Sequence, residues 1–308
     1  MSQTNTHTTA HHQHYAVPKS FIGKRGITIF SYGLMILLGI LCAIPFYLMF
    51  INATRSNNEI FSGVSFLPSN HLVDNFMNLI FGKVSAVDKS VRGNGLNIPQ
   101  GFLNSAVIAV SATLLSGYFS AMTAFCFSLY KFKLKKILWG LIMVVIMLPP
   151  TVGLIGYFKL ISGLNMLDTY WPLILPAIAS PFAVFFIRQF ITGSLPISLV
   201  EAARIDGAGE FMIFNRIVLP LSMPGIATVS IMGFLGSWNN YLGPLIVLDK
   251  KSLFTLPLLI QQLNTTLYNR DFGAMYMGVA LSVFPILIAF SILSRFLIEG
   301  ISSGAVKE

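Results

Sequence analysis

The densest group of chemically useful side chains in this 308-residue sequence is Leu195-Pro196-Ile197-Ser198-Leu199-Val200-Glu201-Ala202-Ala203-Arg204-Ile205-Asp206-Gly207-Ala208. Ser198 and Glu201 stand three apart, the spacing at which a serine hydroxyl caps a helix while the glutamate reaches back to the serine amide. Gly207 can end that helix in a left-handed turn. A second short helix is expected from about Glu210 to Ile217, with Leu219-Pro220 beyond it. Two short helices about a fixed glycine form an elbow that could dock, as a knob, into another protein. Its chemistry is recognition, and nothing else in the chain suggests catalysis. A phosphate-cradling loop needs Gly-x-x-x-x-Gly-Lys-Ser/Thr, and the Gly-Lys pairs Gly23-Lys24 and Gly82-Lys83 lack that setting. ATP hydrolysis by that route is therefore excluded. His7, His11, His12 and His14 crowd the polar first twenty residues; they read as a metal site or, more simply, as a disordered tail. Cys42 and Cys126 fall in predicted spans one and two and read as buried packing residues, with no disulfide or metal site assigned.

The elements that must carry this elbow follow from composition. Hydrophobic residues make up 55% of the chain and charged residues 10%, and the mean hydropathy is +0.74. A soluble domain has roughly 25% charged residues, so a water-soluble globule is excluded. The 26 Phe supply too much apolar surface for a disordered chain. An integral membrane protein remains. Uncharged, mainly apolar stretches run over 26–54, 93–130, 137–158, 169–187, 217–248 and 272–294. A helix crosses about 30 Å of hydrocarbon with about 20 residues, so each stretch holds one span. The polar runs Gly93-Asn94-Gly95 and Pro99-Gln100-Gly101 start the second helix near Phe102, and Pro220 and Pro224 confine the fifth to about Pro224–Tyr241. The uncharged segment 252–269 holds Gln261, Gln262, Asn264, Thr265, Thr266 and Asn269 and reads as a loop or surface helix. The expected organisation is all-α: a polar tail over 1–25, a first transmembrane helix over 26–54, an external loop over 55–101, a five-helix core over 102–297 and a C-terminal tail over 298–308.

Lys and Arg set the orientation. Lys19, Lys24 and Arg25, the run Lys131, Lys133, Lys135 and Lys136, then Arg188, Arg204 and Arg216, and finally Arg295 and Lys307 place twelve of the twenty basic residues on one side. Both termini and the elbow are thereby assigned to the cytoplasm. The net charge of +9 reflects this bias, and nucleic-acid binding is not needed to explain it.

The trimmed spans carry no Asp, Glu, Lys, Arg or His. Proton relays and ion paths use such groups, so a proton-coupled transporter and a membrane protease both lose ground. Ser105, Ala109, Ala112, Ser116, Ser120 and Ala124 form a small-residue stripe at helical spacing, read as close helix packing or as a solute-lining face. Pro45, Pro149, Pro150, Pro176, Pro181, Pro224 and Pro285 lie within or near the spans. Kinked, charge-free helices suit a moving path for a neutral polar solute and equally suit plain packing.

Glu201-Ala202-Ala203, Gly207 four residues on, and Ile217-Val218-Leu219-Pro220 resemble the EAA loop of binding-protein-dependent ABC transporter permeases. Trp238-Asn239-Asn240-Tyr241-Leu242-Gly243-Pro244-Leu245 is similar to the segment of the sugar-transporting subgroup. Glu299 to Lys307 is similar to the C-terminal tail of the MalG-like branch, and Asn104-Ser105 also fits. The likeness runs from about residue 26 to the end, although the first external loop is longer than usual. It implies a MetI-like core with six transmembrane helices and a cytoplasmic coupling-helix elbow.

The resemblance further implies that Glu201 pairs with a basic group of an ATPase, that Ala202 and Ala203 allow close approach, and that Asp206 and Gly207 belong to the same docking loop. Ser302, Ser303, Gly304 and Lys307 would reach the ATPase interface; the alternative is a frayed tail. Trp238 could stack on a sugar ring while Asn239 and Asn240 bind hydroxyls; alternatively Trp238 and Tyr241 anchor a helix at the membrane interface. The implied partners are a homologous second permease, two ATPases that use ATP and Mg²⁺, an external solute-binding protein and the lipid bilayer. This chain itself binds no cofactor or metal in that scheme. It is expected in a bacterial or archaeal cytoplasmic membrane, as the permease subunit of a sugar or oligosaccharide importer. The alternatives are an ABC permease for another small solute and an ATPase-independent channel or secondary transporter.

Overall fold

The computed structural model describes residues 21–82, 96–263 and 271–304. The tail histidines, the segment 83–95, Asn264, Thr265, Thr266, Asn269 and Lys307 lie outside the described residues. The described residues are helical, without strands, and divide into two compact units, Met1–Leu48 and Met49–Glu308. Helix α1 (Phe21–Ala53) contains Pro45, and every side chain from Ile27 to Ala43 is exposed, as suits a lipid-facing helix. After it, α2 (Asn57–Phe61) and α3 (Leu72–Phe81) form the described part of the first loop. Ser56 and Glu59 make a reciprocal capping box at the start of α2.

The long helix α4 (Ile98–Leu129) begins before the expected Phe102. The Asn97 side chain accepts the Gln100 amide at 3.2 Å, and Pro99 sits in the first turn, where its missing N–H leaves nothing unpaired. The run Pro99-Gln100-Gly101 is thus the helix start. The third apolar stretch does not form one helix: α5 (Lys135–Met147) has 13 residues, about 20 Å. It breaks at Leu148 before a 3-10 turn, Pro150–Gly153, and α6 (Leu154–Gly163). Proline cannot donate the helical hydrogen bond and disfavours helix in the residue before it, so Pro149-Pro150 ends α5.

Prolines also segment the next stretch into α7 (Trp171–Ile174), a 3-10 turn at Leu175–Ile178 and α8 (Pro181–Ser194). Then come α9 (Ile197–Ile205), α10 (Glu210–Ile213), a π-helical turn Phe214–Val218, and α11 (Leu219–Leu221). The chain bends by 76° before α12 (Met223–Trp238). Last are α13 (Leu242–Val247), α14 (Leu256–Gln262) and α15 (Phe272–Gly304, with Pro285). Among the described residues four helices are long and apolar enough to cross a membrane, 27–53, 98–129, 171–194 and 272–296, and a fifth if the bent pair counts as one span.

Helix α4 is the axis of the larger unit, packed along α12 and α8. Its stripe residues Ser105, Ala109, Ala112, Ser120 and Ala124 are buried. Beside them a Cβ on Gly117 would lie 3.2 Å from Ile226 Cγ2, so small residues let the two helices approach. Two apolar clusters hold the ends. One gathers Leu79, Ala109, Trp238, Leu256 and Ala274, and the other gathers Ala121, Phe125, Ile187, Val200, Ile213 and Phe214. Within the segment 252–269, expected as a loop or surface helix, α14 is a helix whose Leu256, Leu258, Leu259 and Ile260 are buried in the first cluster, and residues 264–269 lie outside the described residues.

Candidate functional site

The elbow is built as its glycine requires, although it starts differently. Pro196 holds the N-cap position of α9 and no side chain caps it. Ser198 is already the second helical residue, so the expected Ser198–Glu201 capping box does not form. At the other end Gly207 adopts φ +81°. The Ala208 amide donates to Ala203 O at 3.0 Å and the Gly207 amide to Arg204 O at 3.1 Å. These two bonds are a Schellman closure, which satisfies carbonyls that the helix end would otherwise orphan.

Val200, Ile213, Phe214 and Val218 turn inward onto Phe125, Ile187 and Ile191. Glu201, Ala202, Asp206 and Gly207 are exposed and Ala203 is half-buried. Ile205 is 87% exposed and Phe211 69%. Five sequence-expected docking residues therefore share one short, solvent-facing helix end. Neither the Glu201 nor the Asp206 carboxylate has a partner among the described residues.

Three residues that no local motif announces clip the elbow to the end of α4. Arg204 Nε donates to Glu210 Oε1 at 2.7 Å and its Nη2 to Oε2 at 3.3 Å. The Tyr130 hydroxyl donates to Glu210 Oε2, and the Arg204 guanidinium lies 5.6 Å from the centre of the Tyr130 ring. Higher along α4, Tyr118 Oη donates to Asn215 Oδ1 at 3.2 Å. The hydrogen bonds from Arg204 and then Tyr130 hold the Glu210 carboxyl below its ordinary range. Burial, followed by the bond to Glu210, pushes Tyr130 up to about 12. Tyr130 and Glu210 lie 80 residues apart, so no local pattern could link them.

The second expected group separates. Trp238 is 1% exposed: its ring stacks on Phe234 at 5.8 Å, lies 5.9 Å from Phe102, and its Nε1 donates to Ser282 O at 3.2 Å. Its ring is thus enclosed by Phe102 and Phe234 and tied to the backbone of α15. Asn239 and Asn240 are exposed, and Asn240 Oδ1 accepts the Gly243 amide at 3.1 Å. Asn104 and Ser105, at the same end, hold the chain entering α14. Asn104 Nδ2 donates to Ser252 O and Phe254 O, both at 2.9 Å, and Ser105 Oγ accepts the Leu256 amide at 2.8 Å. In the C-terminal tail, Ser302, Ser303 and Gly304 continue the backbone of α15. Among the described residues no cluster of three metal-ligating side chains occurs.

Comparison with known proteins gives this geometry a context. The family model of the binding-protein-dependent transport system inner membrane component matches residues 113–303. The arabinooligosaccharides transport system permease protein AraQ of Bacillus subtilis is 38% identical over 246 residues, covering 79% of this chain and 87% of that protein. The probable ABC transporter permease protein YurM of the same organism is 31% identical over 291 residues, covering 94% and 90%. The sn-glycerol-3-phosphate transport system permease protein UgpE of Brucella abortus is 31% identical over 271 residues, covering 87% and 94%. The crystal structure of a bacterial ABC transporter involved in the import of the acidic polysaccharide alginate superposes with a TM-score of 0.69 at 19% identity, covering 88% of this chain and 97% of that one. That likeness is one of fold.

Proposed function

The chain belongs to the binding-protein-dependent transport system inner membrane component family, and from that membership we infer that it is the membrane-spanning permease subunit of an ATP-driven importer for sugars or oligosaccharides. It is a transporter subunit and not an enzyme. In this scheme ATP and Mg²⁺ act on separate ATPase subunits, and an external binding protein delivers the solute. A second permease and two ATPases complete the assembly in the cytoplasmic membrane. Both termini face the cytoplasm.

The observation that carries the coupling role is the solvent-facing end of α9, where Glu201 and Asp206 stand exposed beside a left-handed Gly207. An exposed carboxylate on a small-residue helix, fixed by a Schellman turn, suits a basic cleft on an ATPase, with Ala202 and Ala203 allowing close approach. The inward side chains Val200, Ile213 and Phe214 would pass that movement to α4 and α8. Ser302, Ser303, Gly304 and Lys307 extend the same interface, and the exposed Asn239 and Asn240 contact solute hydroxyls, backed by Trp238. A neutral solute agrees with the four long spans, which hold no acid and carry Arg188 and Arg295 only toward their C-terminal ends. Alternating access then follows from ATP-driven movement of the elbow.

The test is uptake of labelled arabinooligosaccharide by cells carrying the whole transporter. Glu201→Lys reverses the charge of the docking face, and Gly207→Ala forces a left-handed conformation that costs about 1–2 kcal/mol. Both variants are expected to reach the membrane, to lose most uptake and to retain less ATPase on mild-detergent purification. An ATPase-independent channel or secondary transporter predicts unchanged uptake in both, and that outcome would overturn the assignment.

A further inference from the structure

We propose that the turn joining α4 to α5 is a binding site for the headgroup of an anionic phospholipid. The turn follows one long apolar helix and opens another, so it lies at a membrane face whichever way the chain is oriented. Lys131, Lys133 and Lys136 are exposed, and none has a partner among the described residues. No acid occurs between Tyr130 and Lys136. Glu210, which reaches this turn through Tyr130, has both oxygens committed to Arg204 and Tyr130. Three ammonium groups are therefore left unneutralised within six residues.

The turn is also held in shape. Lys135 Nζ donates to Tyr130 O at 2.8 Å and the Lys135 amide to Phe132 O at 3.2 Å. The Phe127 ring packs edge-on against Phe132 at 5.6 Å and lies 5.5 Å from Trp139, whose face is covered by the Arg188 guanidinium at 4.0 Å. Apolar side chains alternate with the free lysines: Phe132 is 39% exposed, Leu134 56% and Ile137 63%. An acidic protein surface would pair with the lysines and strand these apolar groups in a polar setting. A bilayer interface takes both, with acyl chains against Phe132, Leu134 and Ile137 and lipid phosphates against the ammoniums. This favours lipid over a protein partner.

The experiment uses the assembled transporter, purified in mild detergent and offered equal amounts of phosphatidylglycerol and phosphatidylcholine, with bound lipid counted by native mass spectrometry. Wild type is expected to retain phosphatidylglycerol preferentially. Each lysine changed to Gln should lower that preference roughly fivefold, whereas K131R/K133R/K136R should keep it. Added inorganic phosphate should not displace the lipid. The unmodified complex supplies a second measurement, because its preference should weaken as salt rises and screens exposed charge. Equal retention of the two lipids by wild type, a salt-independent preference, or displacement by inorganic phosphate would overturn the proposal. So would a K131Q/K133Q/K136Q variant that keeps its phosphatidylglycerol but sheds a protein subunit, since the lysines would then serve a protein.

Discussion

Tyr130, Arg204 and Glu210 form a joint in which a neutral hydroxyl and a guanidinium share one carboxylate. Removing the hydroxyl alone, by Tyr130→Phe, keeps the ring and its edge-on contact with Phe125 at 5.5 Å. The net loss is about 1 kcal/mol, enough to loosen the elbow from α4 without unfolding it. ATP hydrolysis by the complex is expected to continue while solute moved per ATP falls severalfold; an unchanged ratio would show that the joint transmits nothing. The pH dependence follows from the same contacts. Glu210 titrates below its ordinary value of 4.5 in the folded protein. Its contribution is therefore complete above that value and is lost as pH falls through the lower, folded value. Tyr130, raised to about 12, keeps its donor proton throughout the neutral range. Coupling should be flat near neutrality and decline on acidification, and Glu210→Gln, which cannot ionise, should abolish that acid limb of the profile.

At the scale of elements, the side chains that join helices across long separations matter most. Asn104 is 1% exposed and donates to two backbone carbonyls 148 and 150 residues away, at the entry to α14. Asn104→Ala leaves both carbonyls without that donor, a loss of about 1–3 kcal/mol. The expected result is a lower thermal midpoint with faster amide exchange confined to 252–262; uniform exchange across the protein would reject a local role. The apolar runs and Gly207 were legible in the sequence because hydropathy and a left-handed turn are local signals. Helix α4 starts before Phe102 because Asn97 and Pro99 satisfy its N-terminus, a role that the polar run around them conceals. Segment 252–269 reads as a loop or surface helix because its amides outweigh Leu256-Pro257-Leu258-Leu259-Ile260, a run too short to register beside true spans. For Trp238 the sequence offers sugar stacking or interfacial anchoring, and only tertiary packing reveals that Phe102 and Phe234 enclose it.

For the whole molecule, contacts between distant segments constrain the crossings. Tyr130, at the end of α4, meets Glu210, so those two points share a membrane face. Asp168 Oδ1 accepts the Asp249 and Lys250 amides at 2.7 and 2.9 Å, and Asn57 Oδ1 accepts the Phe272 amide at 2.9 Å. Those residues, with Asn104 and Ser252, share the other face. The span 171–194 lies between Asp168 and the elbow. We propose that α5 with α6 makes the earlier crossing that would carry the chain from Tyr130 to Asp168. A helix broken at Leu148–Pro150 is thus asked to do the work of a continuous one, which supports six crossings in place of five. The two counts differ in a measurable way, because six return the C-terminus to the side of the N-terminus and five leave them opposed. From the basic residues of the N-terminal tail and of the α4–α5 turn we propose that this shared side is the cytoplasmic one. Reporter fusions that fluoresce only in the cytoplasm should be bright when joined before Met1 or after Glu308, and a phosphatase active only outside should be active when inserted after Lys251. A dark C-terminal fluorescent fusion in protein that still transports would leave α5 and α6 on one side of the membrane.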